Sequence, residues 1–150
     1  MVTPSREIRQ ITAEQTYPIR LDVLRPGRPL SEAIFAGDND PETVHFGAFE
    51  NGEQLGIASL YRAPFPHRPD VTDAWQLRGM ATLPRVQGKG FGRALVDACI
   101  DHARAQGGRI LWCNARSHAA GFYERAGFQV SGEEFHIPDV GPHFRMWLRL

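Results

Sequence analysis

The chain has 150 residues, enough for one compact domain with a real core and too few for two comfortable ones. Its 17 lysines and arginines balance 17 aspartates and glutamates, so no global field exists to hold nucleic acid or an anionic membrane, and any anion site must be local. No apolar run approaches the roughly 18 residues of a membrane span, and no tract repeats or falls into low complexity.

In chain order, "REIRQI" reads as a strand. Thr12 and Thr16 compete to cap the helix that follows and reaches about Leu24; Pro18 suits a first turn and favours Thr16. "RPGRPL" ends that helix, and a weaker one covers about 31–36 before "GDNDPE" breaks the chain. "TVHFGAFE" and "EQLGIASLYR" flank Asn51-Gly52, a strong hairpin signal because both central residues of a type I′ turn need positive φ. "APFPHRPD" is a loop and "WQLRGMAT" the next strand.

A helix runs from about Gly92 to Gln106, with apolar residues recurring four apart, and Gly107-Gly108 stops it. "RILWCN" is a buried strand, "SHAAGFYERAG" a short helix closed by Gly127, and "FQVSGEEF" and "FRMWLRL" the last two strands. Strand, glycine loop, helix and strand set among antiparallel strands predict an α/β (α+β) domain. Its expected form is a mixed, mostly antiparallel sheet of six to seven strands flanked by about four helices. The two cysteines, Cys99 and Cys113, lie in apolar runs without Cys-x-x-Cys spacing, and "MVTPSREIRQ" does not read as a signal peptide, so a cytoplasmic, reduced setting is expected.

The stretch "QGKGFGRAL" carries Gly88, Gly90 and Gly92 directly ahead of the long helix. It is not a Walker loop, because Lys89 is followed by glycine rather than Ser or Thr, and it lacks the Gly-x-Gly-x-x-Gly spacing of a dinucleotide fold. Unhindered backbone N–H groups at a helix N-terminus form a nest for a diphosphate; the alternative is a glycine run needed only for a tight turn.

Read as Gln87-x-x-Gly90-x-Gly92, the loop resembles the acyl-CoA signature of the GCN5-related N-acetyltransferase (GNAT) superfamily, and "LRGMAT", "LWCNAR" and "AAGFYERAGF" resemble its neighbouring elements. More narrowly, "VLRPGRPL", "QLRGMAT", "LWCNAR", "GFYERAGF" and "VGPHFRM" resemble, in order, the glyphosate N-acetyltransferases and their bacillar relatives. The resemblance implies a single GNAT domain over residues 1–150 that binds acetyl-CoA as co-substrate, with no metal. A bulge in the strand at 75–82 would splay it from the strand at 109–114 to admit the cofactor. Met80, Ala81 and Thr82 would present their backbone to the pantetheine arm, the N–H near Met80 polarising the thioester carbonyl. Gln87, Gly88, Lys89, Gly90, Phe91, Gly92 and Arg93 would cradle the diphosphate, and Asn114 would hydrogen-bond the arm. The side chains of Lys89 and Arg93 either flank the phosphates or are merely solvated.

The same resemblance assigns the chemistry. His143, which by itself reads as a turn residue after Gly-Pro, matches the general base, and Tyr123, otherwise a packing residue, matches the general acid that protonates the thiolate. Cys113, without an orienting base in its motif, is read as core. Arg25, Arg78 and Arg116, each readable as a surface charge, match guanidinium groups that grip the acceptor's anion and keep the base neutral. The implied partner is a small amine, an amino acid or amino-phosphonate, with no nucleic acid or membrane, and the protein is a monomer or homodimer. Acetylation of a peptide or protein amine, and acyl-CoA binding without turnover, are the alternatives. "APFPHRPD" and "GDNDPE" depart from the relatives and bear on the substrate rather than the chemistry.

Overall fold

The computed structural model describes residues 5–150; the first four residues of the N-terminal stretch read above lie outside them. Eight strands make one mixed, mostly antiparallel sheet: β1 (Arg6–Ile11), β2 (Val44–Glu50), β3 (Glu53–Arg62), β4 (Ala74–Thr82), β5 (Ile110–Arg116), β6 (Gln129–Val130), β7 (Phe135–Ile137) and β8 (Gly141–Arg149). Their order is β1-β2-β3-β4-β5-β8-β6, with β7 also paired to β8. The α-helices among the described residues are α1 (Tyr17–Ile19), α2 (Phe91–Ala105) and α3 (Ala120–Arg125). β4 and β5 are parallel because α2 is the crossover between them. The eighth strand arises because "FQVSGEEF" does not run through: Gly132, at φ 84, breaks it after Val130, and Phe135–Ile137 begins a separate hairpin with β8.

The chain divides into two compact units, one formed by the residues up to Tyr61 with Gly79–Cys99, the other by Arg62–Arg78 with Ile100–Leu150. In the first, Asn51 (φ 50) and Gly52 (φ 82) make the expected turn between β2 and β3. The helical segment after β1 is a 3₁₀ turn (Glu14–Thr16), α1 and a π turn (Arg20–Leu24) in succession. Thr12, not Thr16, caps it. The Thr12 Oγ1 accepts from the Gln15 amide at 3.3 Å while Gln15 Oε1 accepts from the Thr12 amide at 2.8 Å, a reciprocal capping box. Thr16 is buried and donates its hydroxyl to the Ala13 carbonyl instead, at 2.6 Å. The weaker helix is a 3₁₀ turn over Leu30–Ala33. Ile11, Ile19, Phe49, Ile57 and Ala81 form this unit's apolar cluster.

The π turn leaves Arg20 fully buried. Its Nη1 donates to Asp38 Oδ2 and the Ala33 carbonyl, both at 2.7 Å, and its Nη2 to Asp38 Oδ1, Ser59 Oγ and Tyr61 Oη at 2.9–3.1 Å. The Phe35 ring covers the guanidinium, 3.9 Å from Cζ. His45 closes the network, its Nδ1 accepting from Ser59 Oγ at 2.6 Å and its Nε2 donating to the Asp38 carbonyl at 2.9 Å. Burial, the largest single influence on Asp38, pushes its carboxyl up. The hydrogen bonds from Arg20, Tyr61 and the Phe35 amide, with the charge of Arg20, outweigh it and hold the pKa below the ordinary value. Above this network sits Gly79 of β4 at φ 63, where a Cβ would meet Phe35 at 3.2 Å and Arg20 Nε at 3.3 Å. The register irregularity recorded in this unit lies in β2, between Ala48 and Phe49.

In the second unit β5 and β8 run antiparallel from Ile110↔Arg149 to Arg116↔His143, and Phe135 of β7 pairs with His143 from the other side. Phe65, Val71, Ala74, Ile110 and Trp112 form its apolar cluster, with Trp147 against it, and Trp112 Nε1 donates to the Ala63 carbonyl at 3.0 Å. α3 ends as expected: Gly127 is left-handed (φ 103), and the Phe128 amide returns to the Tyr123 carbonyl at 3.0 Å. Both cysteines are buried. Burial pushes the Cys99 thiol up to about 12 and raises that of Cys113 as well, so both are inert core groups, as the sequence reading held for Cys113.

Candidate active site

In the glycine loop a 3₁₀ turn (Pro84–Val86) leads into a chain that Gly88 (φ 79) and Gly90 (φ 91) steer through left-handed conformations. A Cβ at either would meet nothing within 4 Å, so the backbone angle, not crowding, demands glycine, and the loop surface is open. Two of the seven amides expected in the nest are engaged inside the turn: Gln87 donates to the Pro84 carbonyl at 3.3 Å and Lys89 to that of Val86 at 3.2 Å. The Ala94 amide donates to the Gly90 carbonyl at 3.1 Å, which places Phe91, Gly92 and Arg93 in the first turn of α2, where helix geometry turns N–H groups outward. These and the dipole of a 15-residue helix suit an anion.

The loop is braced by a residue that sequence reading passed over. Arg6 of β1 donates from Nη1 to the Lys89 carbonyl at 2.8 Å and from Nε to Glu50 at 2.8 Å, and its Cζ lies 4.3 Å from the centre of the buried Phe91 ring. Gln87 turns its side chain inward and donates to the Thr82 carbonyl at 3.5 Å. Of the two flanking cations, Lys89 is exposed, whereas Arg93 donates to Asp97 at 3.0 Å one helical turn on. Met80, Ala81 and Thr82 follow Gly79 at the end of β4, Met80 and Thr82 half-buried. Arg25 ends the π turn, its amide donating to the Arg20 carbonyl and its Nη1 to that of Leu24.

In the second unit His143 is 4% exposed. It sits inside β8, not in a turn; Asp139, at φ 64, and Gly141, at φ 120, make the β7–β8 connection before it. Its Nδ1 donates to the Gly141 carbonyl at 2.8 Å, and a carbonyl only accepts, so the proton is on Nδ1. In the neutral ring the Nε2 lone pair is therefore available as a base, and among the described residues nothing hydrogen-bonds it. Phe135 stacks on the imidazole, centroids 5.9 Å apart and planes 30° apart.

Residues directly opposite in an antiparallel ladder, and those two apart on one strand, share a face. His143 therefore shares its face with Arg116, its register partner, and with Asn114 and Arg145, which are register partners of each other. Asn114 Oδ1 accepts from Arg145 Nε at 3.2 Å, leaving its amide NH₂ as the group able to meet a cofactor. Arg145 was not singled out from the sequence, where it is one residue in an apolar–polar strand. Tyr123 of α3 is 7% exposed, edge-on to Phe122 and Phe128 with centroids 5.1 and 5.5 Å away, so its ring does pack. Arg78 lies half-buried in β4, directly before Gly79. The structure thus joins His143 with Arg116 and Asn114 on one strand pair, and gathers the glycine loop around the start of α2.

Residues 6–128 match the family model described as "Acetyltransferase (GNAT) family". The chain belongs to this family and is an N-acetyltransferase. It is 34% identical over 144 residues to the uncharacterized N-acetyltransferase YitI of Bacillus subtilis (strain 168), covering 96% of each chain. It is also 40% identical over 110 residues to the L-methionine sulfoximine/L-methionine sulfone acetyltransferase of Pseudomonas aeruginosa, covering 66% of this chain and 56% of that one. Among solved structures it is similar in fold to the ribosomal-protein-S18-alanine N-acetyltransferase from Escherichia coli (TM-score 0.76, 21% identity, covering 97% of this chain and 94% of that one). It likewise resembles an aminoglycoside 6′-N-acetyltransferase complexed with coenzyme A (TM-score 0.73, 14% identity, covering 95% and 96%).

Proposed function

We propose that this N-acetyltransferase moves the acetyl group of acetyl-CoA to the amine of a small anionic acceptor, an amino acid or amino-phosphonate, by direct attack in a ternary complex. The observation that carries the reading is the fixed tautomer of His143, with its Nε2 lone pair presented on a face shared with Arg116. His143 removes a proton from the acceptor's ammonium; the freed amine attacks the thioester carbonyl carbon, the C–S bond breaks, and the Tyr123 hydroxyl protonates the departing thiolate. Arg78 and Arg116 hold the acceptor's anionic group, a role the motif resemblance extends to Arg25. The open left-handed glycines and the start of α2 support the diphosphate's place at residues 87–93, mainly on the amides of Gly88 and Gly90–Arg93. Met80, Ala81, Thr82 and Asn114 take the pantetheine arm on the strength of the motif resemblance.

The relative acting on methionine sulfoximine supports an amino-acid-like acceptor, and the motif resemblance supports placement beside the glyphosate N-acetyltransferases. The family match runs through both compact units, which supports one domain over the whole chain, and the buried free thiols support a cytoplasmic setting. The test is CoA release with amino acids, amino-phosphonates, polyamines and peptides ending in alanine. Turnover confined to the first two classes is expected; preference for peptides would overturn the reading in favour of a protein acceptor.

A further inference from the structure

Arg145 is a guanidinium held in place without a counter-ion. Its Nε donates to Asn114 Oδ1 at 3.2 Å and its Nη1 to His67 Nε2 at 3.3 Å. Because a guanidinium only donates, His67 Nε2 accepts in this contact, and its Nδ1 donates to Ser131 Oγ at 2.6 Å. The Cζ lies 5.2 Å from the centre of the Phe135 ring and 5.8 Å from that of Trp112. Among the described residues no carboxylate is within ion-pair distance of Arg145, whereas in the same unit Arg62 pairs with Asp73 and Arg68 with Asp70. Glu134, between β6 and β7, accepts from Ser117 Oγ at 2.7 Å. Two neutral acceptors and two rings therefore orient a half-buried cation that has no carboxylate partner among the described residues. A guanidinium oriented in this way is set to take an anion through charge-assisted hydrogen bonds.

Its position says which anion. Arg145 is two residues from His143 on the same face of β8, and Phe135 touches both groups. Arg116, across the ladder from His143, is the diagonal neighbour of Arg145, roughly 7–8 Å away at Cα by strand geometry. We propose that Arg145 is a specificity-determining residue that binds a second acidic group of the acceptor, so that the substrate is an amine with two acids separated by a short chain. An amino-dicarboxylate, such as aspartate or glutamate, has this form. This rests on the reading of a small anionic acceptor given above and deepens it. His67 and Ser131 serve as positioning residues for the guanidinium, which gives the proline-rich "APFPHRPD" loop a part in acceptor choice.

The experiment measures kcat/KM for acceptors that differ by one acid, aspartate against asparagine and glutamate against glutamine, with wild type, Arg145→Gln and Arg145→Lys. Losing a charge-assisted hydrogen bond costs roughly 10- to 150-fold. Wild type is expected to prefer the diacid of a pair by that factor, mainly through KM. Arg145→Gln should bring the ratio close to one, and Arg145→Lys, which keeps the charge but not the fork, should give an intermediate ratio. Equal use of both members by wild type, or a preference that survives in folded Arg145→Gln and Arg145→Lys, would overturn the proposal while leaving the amino-acid reading standing. Turnover of none of the four, with acetyl-CoA still bound, would overturn both.

Discussion

Removing the carboxylate of Asp38 tests whether the first unit is organised around its buried ion pair. In Asp38→Ala the Arg20 guanidinium, fully buried, loses both Asp38 bonds and keeps only the Ala33 carbonyl, Ser59 and Tyr61. Orphaning one member of a buried pair costs about 3–5 kcal/mol. For a domain of this size each kcal/mol shifts Tm by about 2–4 °C, so a fall of roughly 6–20 °C is expected. Urea unfolding followed by circular dichroism gives the free energy directly, with the slope checked for change. The double variant Arg20→Met/Asp38→Leu removes both charges and is expected to lose less than Asp38→Ala alone. The pH dependence has a definite sign. The Asp38 pKa is depressed in the folded chain, so its contribution is fully present above the unfolded value of about 3.9 and is lost as pH falls through the lower folded value. Asp38→Ala should flatten that acid limb. A loss below about 1 kcal/mol, or a double variant weaker than the single, would refute the reasoning.

Gly90→Ala meets no atom within 4 Å, so its cost is conformational alone, about 1–2 kcal/mol for a left-handed alanine. If the loop holds the diphosphate, that strain is expected to weaken acetyl-CoA about 5- to 30-fold by calorimetry; an unchanged Kd would move the diphosphate elsewhere. Cys99 and Cys113 should be silent to Ellman's reagent at pH 8 in the folded protein and give two equivalents in denaturant; reaction of either in the native state would contradict their burial.

Features that depend on local backbone geometry were legible in the sequence. Asn51-Gly52 announced its hairpin because few other residues tolerate those angles, and Gly127 marked the end of α3 for the same reason. The glycine loop and the helix after it fell within a residue or two of their expected places. What depended on distant partners was not legible. Arg20 lies in a segment read only as helix, and nothing local shows that Asp38, Ser59 and Tyr61 gather around it. Thr16 looked the better cap because Pro18 follows it; Gln15, answering Thr12, decides otherwise. "FQVSGEEF" kept strand-like composition across a glycine that in fact breaks it. At the candidate site, "VGPHFRM" singled out His143 through motif resemblance, but the tautomer set by Gly141 and the contacts of Arg145 with Asn114 and Phe135 exist only once β5, β7 and β8 are paired.

The most direct measurement is kcat for wild type and His143→Gln, taken with the acetyl-CoA Kd of each. The glutamine variant should fall about 10²- to 10⁴-fold in turnover and bind acetyl-CoA as before. A variant that turns over within a few-fold of wild type would show that His143 is not the base.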